Sequence, residues 1–451
     1  MNDIAVFGSS SSAGKSTITM FLLNILKQHN INALPFKAQN FSNNSTVADD
    51  NTEIAFAQYF QAKSVNLKTT RYLNPLLIKS GKNSHLHIVE NGRFFGELSP
   101  IEYYNTIDRF KKTVEQGYIK LKQEGTVVSE GAGSPTELNF LDRDLANAFI
   151  ALNFKPKIVF VADIERGGIF ASIFGTKELL KKIGLEISGV IVNKFRGDTR
   201  LFSNGIKIIE KKFNIPVLGV LPYLELNVGF EDSLNTTNYI QRKKPIIKAG
   251  VYNFKYISNY YDIEPLILDK NVEVTFFSNL NQADLFDVVV LPGSRQTVLD
   301  LLLIKKQAYK ILKKTKIIAL CGGYQMLFEN IYDCIESDIK HTKGLGLIKG
   351  DVRFEANKTL KRSKYKIGNF DIDGFEMHYG KADKLYFEDE NIFGTFVHEA
   401  LYNDRLRTYL LKKINPNYCG YNYTKAYKKH LAQFIENAKM NFCVDKFFEL
   451  L

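Results

Sequence analysis

No run of apolar residues in this 451-residue chain approaches the roughly 18 needed to cross a bilayer, so no membrane-embedded role is expected. Cysteine is scarce. The four that occur, Cys321, Cys334, Cys419 and Cys443, are scattered without a Cys-x-x-Cys spacing, which argues against a disulfide framework and a zinc site. Internal repeats and low-complexity tracts are absent. Also missing are a basic stripe interleaved with aromatics and any recognised nucleic-acid module, so the formal charge of +12 does not point to nucleic acid. Lysine-rich helix faces such as "KKTVEQGYIKLKQEG" account for much of it, and weak steering of a polyanionic small substrate is a second use. The chain starts at once on a strand-like "DIAVFG", with no signal-peptide pattern. A cytoplasmic location, with no membrane and no nucleic-acid partner, is therefore expected.

What is present is the alternation of buried strands and helices. Residues 1 to about 230 carry "DIAVFG", "INALPFK", "GTVVSEG", "KIVFVAD", "ISGVIVNK" and "PVLGVLP", with helical patterns between several of them. Continuous apolar strands separated by helices predict a parallel sheet covered on both faces. After the polar "EDSLNTTNYIQRKKP" (231–245) the pattern restarts with "IIKAGVYNF", "VEVTFF", "DVVVLPG" and "KIIALCGG". The fold class expected is α/β in two domains, 1–235 and 246–451, with a boundary near residue 240.

The first domain opens with a phosphate loop. In "VFGSSSSAGKST" five residues separate Gly8 from Gly14-Lys15-Ser16, one more than the common spacing. Small residues let backbone N–H groups face phosphate oxygens. Lys15 reaches toward the terminal phosphates, and the Ser16 hydroxyl suits Mg²⁺. The helix that follows points its positive end at the anion. Other strand ends offer partners: Glu130 as a metal carboxylate, Asp163, and Asn193 as a reader of a base edge. Acids and amides at strand ends often only cap helices, but these three lie where ligands bind in parallel sheets.

The second domain presents Cys321 directly after a strand, with Gly322-Gly323 opening a helix. That is the sequence form of a nucleophile elbow, and a helix N-terminus favours thiolate. The bland alternative is a buried small hydrophobe. A general base should be distant in sequence, and both His398 in "NIFGTFVHEAL" and His378 in "GFEMHYG" are candidates, with Glu376 a candidate orienter. Gly293-Ser294 in "VVLPGSRQT" sits at another strand end, as oxyanion-hole donors would.

Together these phrases resemble one family. The N-terminal half is similar to dethiobiotin-synthetase-like ATPases, whose phosphate loop has the same longer spacing. The C-terminal half is similar to the flavodoxin-like class I (triad) glutamine amidotransferases. The domain order resembles the cobyric acid synthases, as do "PFKAQNFSNNS" (35–45), "LNPLLIKS" (73–80), "SEGAGSPTELNFLDRD" (129–144), "VADIERGGIFASIFGT" (161–176), "VNKFRGD" (192–198), "LPGSRQT" (291–297), "CGGYQML" (321–327) and "FEMHYG" (375–380). The sister family of cobyrinic acid a,c-diamide synthases carries Gly-Pro-Asp where this chain has Lys37-Ala38-Gln39-Asn40.

The resemblance implies ATP- and glutamine-dependent amidation of four carboxylates (b, d, e and g) of adenosylcobyrinic acid a,c-diamide in cobalamin biosynthesis, with ATP and Mg²⁺ and no tightly bound organic cofactor. It makes Cys321 the glutaminase nucleophile and His398 its base, with Gly293, Ser294 and Gly322 binding glutamine or the oxyanion. Gly8, Gly14, Lys15, Ser16 and Asn193 would bind nucleotide, Ser16 and Glu130 the metal, and Lys37, Gln39 and Asn40 substrate or phosphate. Two departures stand out. Ser12 replaces the family's usual Asp, and Glu399-Ala400-Leu401 follows His398 where the family usually has Gly-Leu-Phe; ordinary triads have His-x-Glu, the family lacks that Glu, and the third triad member is open. A partitioning-type switch ATPase would need a signature lysine early in the loop, and residues 9–12 are all Ser.

Overall fold

A computed structural model describes residues 1–81, 84–224, 226, 229 and 244–451. The expected boundary near 240 lies outside the described residues. Two compact units emerge, and neither is continuous in sequence. One comprises Met1–Ser42, Ile54–Leu226 and Lys429–Leu451; the other comprises Asn43–Glu53 and Asn227–Lys428. The spans 1–235 and 246–451 thus differ from the compact units at 43–53 and at the C-terminus.

In the first unit, six parallel strands lie in the order Val217–Pro222, Ile187–Phe195, Lys157–Asp163, Ile4–Gly8, Thr126–Glu130, Ala33–Phe36. All six are strand-like phrases of the sequence. Ile4–Gly8 is fully buried, as a strand covered on both faces must be. Helix Lys15–Gln28 covers it with an apolar stripe that includes Ile18, Phe21, Leu22 and Ile25. A second, four-stranded sheet runs Gln39–Phe41, Leu76–Ser80, Leu86–Glu90, Arg93–Leu98. The C-terminal segment returns to this unit because its aromatics find a core here. Phe442 meets Phe21 edge-on with ring centroids 5.1 Å apart, and Phe447 is completely buried.

In the second unit, the order Val272–Phe277, Ile247–Tyr252, Val288–Leu291, Ile317–Leu320, Ile392–Thr395 is parallel throughout, and Tyr386–Glu388 closes one edge antiparallel. In chain order that is 2-1-3-4-5, the flavodoxin-like arrangement. A long antiparallel pair, Ile348–Ile367 with Phe370–Lys381, belongs to a separate four-stranded sheet. No helix among the described residues is long and apolar enough to cross a membrane.

Candidate active site

The phosphate loop joins the central strand Ile4–Gly8 to helix Lys15–Gln28. Its neighbours on either side are Lys157–Asp163 and Thr126–Glu130, so the three C-terminal strand ends converge, where ligands bind in such sheets. Gly14 has φ 98°, a conformation open to glycine at no steric cost. A Cβ on Gly8 would stand 2.8 Å from the Lys15 stem, so the lysine can fold over the loop only because residue 8 has no side chain. Lys15 Nζ donates to the carbonyls of Ser10 and Gly133, both at 2.9 Å.

Ser16 Oγ donates to Glu130 Oε1 at 2.8 Å. Lys37 Nζ reaches the same oxygen at 2.6 Å, and Gln61 Nε2 donates to Glu130 Oε2 at 2.7 Å. Glu130 is fully buried. Burial opposes its charge, but the Lys37 ammonium, with the Gln61 and Ser16 hydrogen bonds, outweighs that and holds the carboxyl below its ordinary value. Removing one member of a buried ion pair typically costs about 3–5 kcal/mol. Glu130→Ala is therefore expected to lower unfolding stability by about that amount, read as the shift of a urea midpoint against wild type.

Of the motif 37–40, only Lys37 joins this cluster. Gln39 accepts from the Tyr103 hydroxyl, and Asn40 Nδ2 donates to Gln58 Oε1 at 3.1 Å. Asn193 Nδ2 donates to the Ala13 carbonyl at 2.9 Å, so the proposed base reader also braces the phosphate loop. Lys194 Nζ bridges the Ser12 carbonyl (2.6 Å) and Asp163 Oδ2 (2.9 Å). At the Ser12 departure, then, the loop is tied to Asp163 through a neighbouring lysine.

In the second unit, Cys321 follows strand Ile317–Leu320 with φ 47° and ψ −109°, a strained conformation for a side-chain-bearing residue and the mark of an elbow. The glycines after it are needed for close approach: a Cβ on Gly322 would meet Ser294 N at 2.7 Å, and one on Gly323 would meet the Leu291 carbonyl at 2.3 Å. Gly293 is also closely set. A Cβ there would stand 3.0 Å from the Ser258 carbonyl oxygen and 3.7 Å from His398 Cε1. The structure therefore gathers Gly293, Ser294, Gly322 and His398 around the thiol. The helix after Cys321 is a single turn, Gly322–Gln325.

His398 is buried, and its Nδ1 lies 2.7 Å from Asp262 Oδ2. Asp262 Oδ1 accepts from the Glu399 amide at 2.8 Å. The Phe375 ring stacks on the imidazole at 4.8 Å and 13°. Burial disfavours the imidazolium, but Asp262 and Cys321 outweigh it and push His398 up to about 10. His398 Nε2 is buried, and Cys321 is among the groups that act on the ring. His378 is otherwise engaged: its Nδ1 lies 2.7 Å from the Gly380 carbonyl and its Nε2 3.0 Å from Glu376 Oε2. Glu376 thus orients His378, not His398. Asp262, which no sequence pattern marks, stands beside His398 where Ala400 offers no carboxylate. It sits in "NYYDIEP", 136 residues before its partner, with no local pattern to set it apart.

Losing the acid that orients the base of a nucleophile–His–Asp arrangement costs about 10⁴ in rate. Asp262→Asn is expected to cut kcat for glutamine hydrolysis by that order and to move His398 down from about 10. Stability follows the same sign. The contribution of the pair is complete below the ordinary histidine value of about 6.5 and is lost as pH rises through about 10. Urea midpoints across that window would slope downward in wild type and flatten in Asp262→Asn; equal slopes would contradict the pairing.

The fold and the two constellations define a class: a phosphate-loop nucleotide-binding unit combined with a glutamine amidotransferase unit in which Cys321, His398 and Asp262 lie together. Two family profiles match in the same order. The CobQ/CobB/MinD/ParA nucleotide binding domain matches residues 4–229, and the CobB/CobQ-like glutamine amidotransferase domain matches residues 248–406. A cobyric acid synthase of Acinetobacter baylyi is 44% identical over 97% of this chain and 96% of its own. One of Thermodesulfovibrio yellowstonii is 33% identical over 96% of this chain and 95% of its own. One of Clostridium botulinum is 34% identical, covering 88% of each chain. The chain belongs to the cobyric acid synthase family, and so to the glutamine-dependent ligases that use a nucleotide.

Proposed function

We propose that this chain amidates the b, d, e and g carboxylates of adenosylcobyrinic acid a,c-diamide, using ATP and the amide nitrogen of glutamine, in the cytoplasm. The observation that carries this is the near full-length identity to cobyric acid synthases, joined to a Cys321–His398–Asp262 arrangement able to release ammonia. We assign ATP-dependent activation to 1–235 and glutamine hydrolysis to 246–451.

Carboxylate and ammonia do not condense in water because the oxygen is a poor leaving group. Transfer of the γ-phosphoryl group of ATP to a corrin carboxylate gives an acyl phosphate, from which ammonia displaces phosphate. Lys15 and the loop amides offset charge on the transferring group. Ser16 Oγ and the Glu130 carboxylate, beside the unpartnered buried Gln61 Oε1, are hard oxygen donors that fit Mg²⁺. Among the described residues no group of three or more His, Cys, Asp or Glu side chains is placed to hold a metal, so this ion would take its remaining ligands from phosphate and water. When bound, Mg²⁺ supplies charge neutralisation at the phosphates.

On the thiol side, Cys321 sulfur adds to the glutamine amide carbon. Backbone N–H groups around Gly293, Ser294 and Gly322 stabilise the oxyanion. The C–N bond breaks as His398 Nε2 gives its proton to departing ammonia. Water then cleaves the thioester, releasing glutamate and restoring the thiol. The test is to incubate the chain with ATP, glutamine and cobyrinic acid a,c-diamide in its adenosyl form. Successive losses of about one mass unit, OH to NH₂, up to four, are expected; an unchanged substrate mass with active protein would overturn the acceptor assignment.

A further inference from the structure

The amidotransferase unit holds a salt bridge that the glutaminase steps above do not use. Lys358 Nζ stands 2.7 Å from Glu53 Oε2, with Glu53 buried and only 14% of the Lys358 side chain exposed. Both residues belong to this unit, because Asn43–Glu53 clusters with it. Ser45 Oγ lies 2.8 Å from Glu53 Oε1, so both carboxylate oxygens are engaged. A buried ion pair contributes little to stability on balance, since desolvation offsets the attraction. Its position suggests a different use.

Two lines of contact place the pair beside Cys321. The first is Met377. Its carbonyl is 3.9 Å from Cys321 Sγ, and its sulfur is 3.5 Å from Ser45 Oγ, the hydroxyl that meets Glu53. Met377 therefore spans the gap between the thiol and the carboxylate. The second line runs past Gly322. A Cβ there would stand 3.1 Å from Thr297 Oγ1, and the Thr297 amide donates to Glu336 Oε2 at 3.5 Å. Desolvation pushes the Glu336 carboxyl up to about 7, against the charges of Arg295 and Lys358. Lys358 Nζ also lies 5.7 Å from the centre of the Tyr379 ring, two positions on from Met377.

The nitrogen donor has a matching shape and charge. Glutamine carries an α-ammonium and an α-carboxylate, and three single C–C bonds of about 1.5 Å separate its α-carbon from its amide carbon. With the amide carbon at the sulfur, the charged head lies about one side chain's length away, the gap that Met377 spans. We propose that Glu53 and Lys358 recognise the amino-acid head of glutamine, Glu53 taking the α-ammonium and Lys358 the α-carboxylate. The proposal rests on the Cys321–His398 reading above. The two side chains neutralise each other in the structure, and an incoming glutamine offers each a replacement for the partner it gives up. An amide lacking either charge leaves one of the two unmatched, and a site whose buried polar groups are left unpaired rejects such an analogue.

The test measures ammonia release by the full chain from three amides: glutamine, glutaramate, which lacks the α-amino group, and γ-aminobutyramide, which lacks the α-carboxylate. Wild type should prefer glutamine to each analogue by about tenfold or more in kcat/KM. Glu53→Gln, which keeps the shape of the side chain, should raise KM for glutamine by about 10- to 100-fold with a much smaller change in kcat, and should hydrolyse glutaramate no worse than wild type does. Lys358→Met should do the same to glutamine while sparing γ-aminobutyramide, and Lys358→Arg should recover much of the loss. Equal kcat/KM of wild type on all three amides would overturn the proposal, and that comparison stands even where a variant fails to fold. So would an unchanged KM for glutamine in Glu53→Gln and Lys358→Met, or a loss in the same proportion on every amide. Failure of the underlying reading has a different signature: Cys321→Ala would still release ammonia from glutamine.

Discussion

Replacing Cys321 by alanine is expected to abolish glutamine-dependent amidation while leaving amidation from high free ammonia intact. Cys321 supplies the thiol at the elbow, and Ala leaves His398 with no thiol proton to take. The structure adds that the residue is buried at a strained turn and that its Sγ is 3.9 Å from the Met377 carbonyl. Alanine fits that space without collision. The variant should therefore fold, and loss of activity would be a chemical loss. It should fall to background, well beyond the 10²–10⁴-fold expected for losing a positioned acid or base. Loss of the ammonia-dependent reaction as well would count against separate sites for ammonia release and carboxylate activation.

The complementary variant, Lys15→Ala, should remove both activities. Its ammonium sits among the carbonyls of Ser10 and Gly133, at the rim of the loop where phosphate oxygens are read. Phosphoryl transfer depends almost entirely on positioning and charge stabilisation, and deleting one preorganised stabilising group commonly costs about 10²–10³-fold. Ammonia cannot rescue this variant because the missing step is activation of the carboxylate. Persistent ammonia-dependent product formation would contradict the assigned role. The Cys321 and Lys15 pair thus separates the two halves of the reaction with one acceptor and two nitrogen sources.

Much of this was legible in the chain because it is written locally. The phosphate loop, the apolar strands and the Cys-Gly-Gly elbow are short patterns whose physics is set within a few residues. The residues alone left His398 as one of two candidate histidines, and the family resemblance chose it. In the structure His378 has both ring nitrogens engaged and His398 has one facing Asp262. Asp262 was not legible, since its role arises from sheet order placing two distant segments side by side. The segment 43–53 was hidden for the same reason. The partner of Glu53, Lys358, lies more than 300 positions away, and the segment reads as an ordinary polar loop of the first half. The C-terminal return was equally unmarked, because Phe442 and Phe447 carry no sign of which core they fill. Conversely, Gln39 and Asn40 were singled out by motif, and the structure turns them toward Tyr103 and Gln58 while Lys37 alone reaches Glu130.

The chain is expected to take nitrogen from glutamine and place it on an ATP-activated corrin carboxylate. The direct measurement is the isotopic mass of the product formed from glutamine labelled with ¹⁵N in its side-chain amide. Each new amide is expected to carry ¹⁵N, no product should form without ATP, and Cys321→Ala should yield no labelled product. New amides free of the label, or labelled product from Cys321→Ala, would contradict it.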